Sequence, residues 1–130
     1  MRESQPSKPR LMNMPPSVNL GQKLAGFSEY FQPRTVASFN GNDVMVVKIK
    51  GQFKWHAHPD TDDFFLVLRG QMRVETEEGT VPLSEGEMCV IPRGMRHRPV
   101  ADEECQVLLI EPMGTPNTGD TATAQPRRVI

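Results

Sequence analysis

The chain has 130 residues and a formal net charge of −1, from 15 basic and 16 acidic side chains. That near-balance excludes the broad basic field by which proteins collect nucleic acid or acidic membrane. No apolar run approaches the ~20 residues that cross a bilayer, and no apolar stretch follows Arg2 and Lys8 as in a secretory signal.

Residues 1–17 contain Pro6, Pro9, Pro15 and Pro16 and read as a flexible N-terminal tail. Leu20, Leu24, Phe27 and Phe31 then recur at helical spacing until Pro33, so a short helix is expected within residues 18–31, weakened by Gly21 and Gly26. Asn40-Gly41-Asn42-Asp43 marks a turn. Strands are expected over residues 44–50, 53–58, 63–69, 72–76, 80–83, 88–91, 96–100 and 106–111. Glycines, Pro59 and the Asp102-Glu103-Glu104 run separate them. Many short strands with no helix between them predict an all-β sandwich or barrel filling residues 18–112. Residues 113–130 hold few large apolar side chains, so they read as a C-terminal tail on which Arg127 and Arg128 are solvated charges. Cys89 and Cys105 lie in apolar runs outside any C-x-x-C pair. They read as small buried residues, and a cytoplasmic location follows from that usage.

The chain's three histidines, His56, His58 and His97, fall in two short segments. Residues two apart on a strand share a face, so His56 and His58 project together. The turn at residues 59–62 resets that parity and lets Asp63 return a carboxylate to the same place. Asp62 is the weaker candidate, because parity turns it away when Asp63 points inward. The Pro92-Arg93-Gly94 bend brings His97 back towards the sheet. Three imidazoles and one carboxylate suit a divalent transition metal: Fe, Mn, Ni, Co, Cu or Zn. Four protein ligands leave two adjacent positions of an octahedral ion for water, dioxygen or substrate. Closed structural zinc sites usually include thiolates, which this set lacks.

These two segments resemble the paired motifs of the cupin superfamily. Gly51, His56, His58, Asp63 and Gly70 stand in the order of the first motif, with Asp63 where Glu is usual. Gly86, Pro92, Gly94 and His97 match the second, with Ala101 where Asn is usual. The resemblance implies a small jelly-roll β-barrel, often dimeric, with one metal held inside by the four positions.

Parity places Phe65, Val67, Met72 and Val74 on the inner wall with the ligands. It leaves Lys54, and less directly Arg69, as the polar candidates there. A lining so apolar points to chemistry done by the metal, and a dioxygenase acting on a small organic molecule is the leading expectation. The alternatives are a non-enzymatic small-ligand-binding module and a sugar-phosphate isomerase-like enzyme. Phe53, Trp55, Phe64, Leu66 and Leu68 form an apolar opposite face, for which a homodimer is expected.

Overall fold

In a computed structural model, residues 14–124 and 127–130 are described. Most of the N-terminal tail expected over residues 1–17 therefore lies outside the described residues. The expected helix is α1, Leu20–Ala25. Its N-cap Asn19 accepts a hydrogen bond from the Gln22 backbone N–H at 2.9 Å, and Gly26 ends it. Phe27 and Phe31 share its periodicity but lie beyond it. Phe31 takes a positive φ of 61°, and its N–H donates to the Lys48 carbonyl at 2.8 Å. No helix among the described residues is long and apolar enough to cross a membrane.

Among the described residues eight strands follow: β1 Arg34–Phe39, β2 Asn42–Gln52, β3 Asp63–Arg69, β4 Met72–Thr76, β5 Gly79–Leu83, β6 Met88–Ile91, β7 His97–Pro112 and β8 Arg128–Val129. The sheet runs β5-β4-β7-β2-β1-β8, and β3 joins it by pairing with both β6 and β7. The all-β, jelly-roll-like architecture expected from the sequence is present, although the hydrogen-bonded sheet does not close on itself.

Strand β7 organises the molecule. The sequence suggests two strands, at 96–100 and 106–111, but the structure has one of 16 residues. The register against β2 jumps from Ile49↔Cys105 to Gly51↔Ala101, so Asp102-Glu103-Glu104 is a bulge that faces water without ending the strand. The first part of β7 pairs with β4 and the later part with β3. Gly70, at φ 93°, packs on this bulge: a side-chain carbon there would sit 2.9 Å from the Glu104 carbonyl oxygen.

The strand expected over residues 53–58 is not a strand. The Phe53 N–H reaches the Pro99 carbonyl at 3.0 Å, but proline has no N–H to return, and the ladder fails there except for one bridge between His56 and His97. Strands β1 and β8 escaped the sequence reading. β1 holds the charged Arg34, which is buried beside Phe27 (4.4 Å to the ring centroid) and bonded to Glu29 at 2.7 Å.

The core lies inside the curved sheet. Met45, Val47 and Ile49 from β2 meet Phe65 and Val67 from β3, Met72 and Val74 from β4, and Val107 from β7. The inward positions expected on β3 and β4 are buried as the period-2 pattern requires. Leu24 is fully buried where α1 packs on β2. Cys89 and Cys105 are both unbridged; Cys105 is fully buried and Cys89 partly so.

Candidate metal centre

His56 and His97 face each other across two backbone hydrogen bonds. The His56 N–H donates to the His97 carbonyl at 2.9 Å, and the His97 N–H returns a bond of 2.8 Å. Directly opposed residues of an antiparallel pair project to the same side, and the two rings lie 4.5 Å apart. Two further hydrogen bonds from backbone N–H groups join the same segments. The Gly94 N–H donates to the His58 carbonyl at 2.9 Å, and the Arg93 N–H donates to Asp62 Oδ1 at 3.0 Å. Asp62 is thus half-exposed and spent on the bend, while Asp63 begins β3 on its buried face.

The structure brings together all four side chains singled out from the sequence. The metal-ligating atoms of His56, His58, Asp63 and His97 lie within 4.8 Å of one another, and all four residues are buried. Nitrogens on opposite sides of an ion at ~2.1 Å each are ~4 Å apart, so the cluster has the dimensions of one coordination sphere. Asp63 Oδ2 lies 2.7 Å from His97 Nε2, 3.3 Å from His58 Nε2 and 4.0 Å from His56 Nε2.

Backbone carbonyls orient two of the rings. His56 Nδ1 bonds the Lys54 carbonyl at 2.9 Å, and His97 Nδ1 bonds the Met95 carbonyl at 2.8 Å. A carbonyl only accepts, so both Nδ1 atoms carry a proton and both Nε2 atoms turn inward; His56 Nε2 is a free base there, whereas His97 Nε2 donates to Asp63 Oδ2 at 2.7 Å and would give up that proton to a metal. His58 differs: neither of its buried ring nitrogens has a hydrogen-bond partner. A buried polar atom left unsatisfied costs about 1–3 kcal/mol. A cation between His58 Nε2 and its neighbours would remove that cost, so the donor set fits a divalent transition metal.

The charge states of His56 and Asp63 agree with that fit, and His97 would exchange a proton for the metal. Burial, opposed by the Lys54 carbonyl, pulls His56 down to about 4, so its ring is neutral at pH 7. Burial disfavours the charge on Asp63, but the close His58 and His97 rings outweigh it and hold the carboxyl well below the usual range. Burial also opposes protonation of His97, yet its bonds to Asp63 and to the Met95 carbonyl carry it above the ordinary value.

A cavity of about 50 Å³ adjoins the cluster and reaches His56 and Asp63. Its walls include Phe31, Val47, Phe53, Phe65 and Leu109, with Asn117 and Glu111 as polar members. Phe53, assigned to the outer face by strand parity, is on the cavity wall, stacked on Phe31 at 5.1 Å. Lys54, assigned to the inner face, is exposed, as is Arg69. Both reversals follow from the missing ladder at 53–55, where period 2 no longer governs direction.

Glu111 is the functional candidate that the sequence reading missed. It is buried on the inward register of β7, after Val107 and Leu109. Burial and the negative Asp63 beside it push its carboxyl up to about 8, against the pull of Arg127. Its signal was available: a glutamate standing in the apolar half of an alternating strand. Arg127 is likewise no solvated tail charge. It bonds Asp43 Oδ2 at 2.6 Å and Glu111 Oε1 at 2.7 Å.

The family model for the cupin domain matches residues 43–111, which contain all four clustered side chains and Glu111. The chain is 31% identical over 78 residues to the uncharacterized protein YdbB of Bacillus subtilis, covering 59% of this chain and 63% of that one. It therefore spans less than two thirds of the length of the curated relatives it matches. Among solved structures, a cupin-2 domain protein of Shewanella frigidimarina shares 39% identity at a TM-score of 0.72, covering 73% of this chain and 93% of that one. The hydroquinone 1,2-dioxygenase PnpCD, solved with Cd2+ and 4-hydroxybenzonitrile, superposes at a TM-score of 0.61 with 21% identity, covering 83% of each chain. That last likeness is one of fold.

Because neither His58 ring nitrogen makes a hydrogen bond, and His58 Nε2 lies farther from Asp63 than His97 Nε2 does, His58→Leu should cost clearly less metal-free stability than His97→Leu. His97→Leu, which strands the buried Asp63 carboxylate, should cost about 3–5 kcal/mol. Urea unfolding of both variants, with and without added Zn2+, checks this. Zn2+ should stabilise the parent chain and neither variant. A His58→Leu loss as large as that of His97→Leu would give His58 a structural role instead.

Proposed function

The chain belongs to the cupin domain family, and on that premise we propose that it is a metal-dependent enzyme of oxygenase type acting on a small organic molecule. The observation that supports the reading is the convergence of four buried donor atoms around His58, whose ring nitrogens lack any other partner. A divalent transition metal bound there would supply Lewis acidity and, where redox-active, dioxygen chemistry.

The chain's own residues have separable tasks. His56 and His97, fixed through Nδ1, present their Nε2 atoms in one orientation. Asp63 adds a negative charge that lowers the net charge of the loaded centre. Phe31, Phe53, Phe65 and Leu109 exclude water and offer an apolar surface to an organic ligand. Glu111 places a buried carboxyl at the edge of the same space, where burial and the Asp63 charge favour its protonated form in the absence of a cation.

Glu111 favours one second reading, metal-assisted proton transfer of the isomerase or lyase kind. A buried carboxyl on the cavity wall beside Asp63 is placed to act as a general acid or base, which an oxygenase does not require. The sugar-phosphate form of that reading finds less support, because among the described residues no Lys or Arg lines the cavity to hold a phosphate. As for assembly, we propose a homodimer through the outer face of β3 and β6. There Phe64 pairs with Val90 and Leu66 with Met88, and both β6 side chains are about half exposed.

Fe(II)-loaded protein should consume oxygen with some member of a panel of small phenols, enols and thiols, and His56→Ala should abolish the uptake. Glu111→Gln separates the chemistries: oxygen uptake should persist within about tenfold, whereas proton transfer should fall about 100-fold or more. Saturable ligand binding with no turnover of either kind would make the protein a binding module. For assembly, sedimentation should show a dimer for the parent chain and a monomer for Val90→Glu; a monomeric parent would contradict the proposed interface.

A further inference from the structure

The segment after β7 packs against Ala57 and is built into the cavity wall. Asn117 lines the cavity together with His56, Asp63 and Glu111. Gly119, at φ 76°, lies on the backbone of Ala57, between His56 and His58; a side-chain carbon there would overlap the Ala57 carbonyl oxygen. Between them Thr118 is buried and bonds Thr123 Oγ1 at 2.7 Å and the Asp120 carbonyl at 2.9 Å.

Arg127 fastens this segment. Its guanidinium bonds Asp43 at the start of β2 and Glu111 at the end of β7. It also bonds the carbonyls of Pro112 and Thr115, where the segment leaves the sheet. The planar fork serves four acceptors on three stretches of chain, an arrangement that an ammonium cannot copy. Beyond it, β8 pairs with β1 for only two residues, Arg34↔Arg128 and Thr35↔Val129.

Size decides what this wall does. A dry cavity of about 150 Å³ accepts one benzene, and the space here is about 50 Å³. A ring-sized ligand therefore cannot sit wholly inside, and one that reaches the cluster fills the space beside Asn117. The sheet walls are held by long ladders, whereas the Asn117 wall is held by turns and by Arg127.

We propose that Asn117 is a specificity-determining residue for ring-sized organic ligands of the metal centre, and that Arg127 is the positioning residue that holds it in the wall. The ligand half rests on the metal reading above. An azide ion, a few atoms long, fits the existing space; catechol must meet the Asn117 wall.

The test uses the full chain loaded with Co(II), whose visible bands report azide and catechol binding separately. Asn117→Ala should change catechol affinity by about tenfold and azide affinity by less than about twofold, with cobalt stoichiometry unchanged. Arg127→Ala should change the catechol-to-azide ratio in the same direction, and Arg127→Lys should fail to restore it. An unaltered ratio in all three variants overturns the proposal. Hydrogen exchange on the metal-free chain gives an independent reading of Arg127. Arg127→Ala should speed exchange in residues 112–124 by about tenfold or more while residues 44–49 stay protected. Uniform exchange with the parent, or uniform loss of protection, overturns its positioning role. A parent chain that takes up no cobalt removes the metal reading and Asn117's ligand role with it; the exchange result still decides Arg127.

Discussion

Two backbone hydrogen bonds between His56 and His97 are the constraint on which this protein's candidate chemistry depends. They join segments 41 positions apart at two of the residues that could hold a metal. Side chains at a closed antiparallel pair have little freedom in relative direction. The Gly94–His58 and Arg93–Asp62 bonds continue the same seam on one side, and the β4–β7 ladder supports His97 on the other. Ligand geometry is thus fixed by the main chain before any cation enters, as a preorganised site requires.

A second constraint is electrical. Asp63 and Glu111 are buried carboxyls in contact, and two adjacent negative charges in an apolar cavity would be costly. The structure resolves the conflict by giving them different neighbours. Asp63 sits among imidazoles that favour its charge, whereas Glu111 is left with burial and the Asp63 charge, eased by Arg127. Environments that differ in this way separate the protonation states of two neighbouring carboxyls. The C-terminal segment belongs to this arrangement, because it delivers the guanidinium that keeps Glu111 from facing Asp63 alone.

Much of this was legible in the sequence. Strands β3, β4 and β6 could be bounded to the residue, because alternating apolar positions and flanking glycines report a half-buried strand directly. The four clustered side chains were legible because histidine is scarce and the Pro92-Gly94 bend fixes where His97 returns. What was not legible depended on partners distant in the chain. Asp102-Glu103-Glu104 looks like a loop, and only the β2 register shows it to be a bulge within one strand. Phe53 and Lys54 were assigned opposite faces from those they take, because nothing local announces that Pro99 will interrupt their ladder. Arg127 looks like a tail charge until Asp43 and Glu111 are brought to it.

The central claim is that three imidazoles and one carboxylate share a single divalent cation inside a β enclosure. X-ray absorption at the metal edge of the loaded protein tests it most directly. The account predicts about three imidazole nitrogens and one carboxylate oxygen at roughly 2.0–2.2 Å, with one imidazole fewer in each single His→Ala variant. A spectrum fitted by water oxygens alone, or one unaltered by those substitutions, would contradict it.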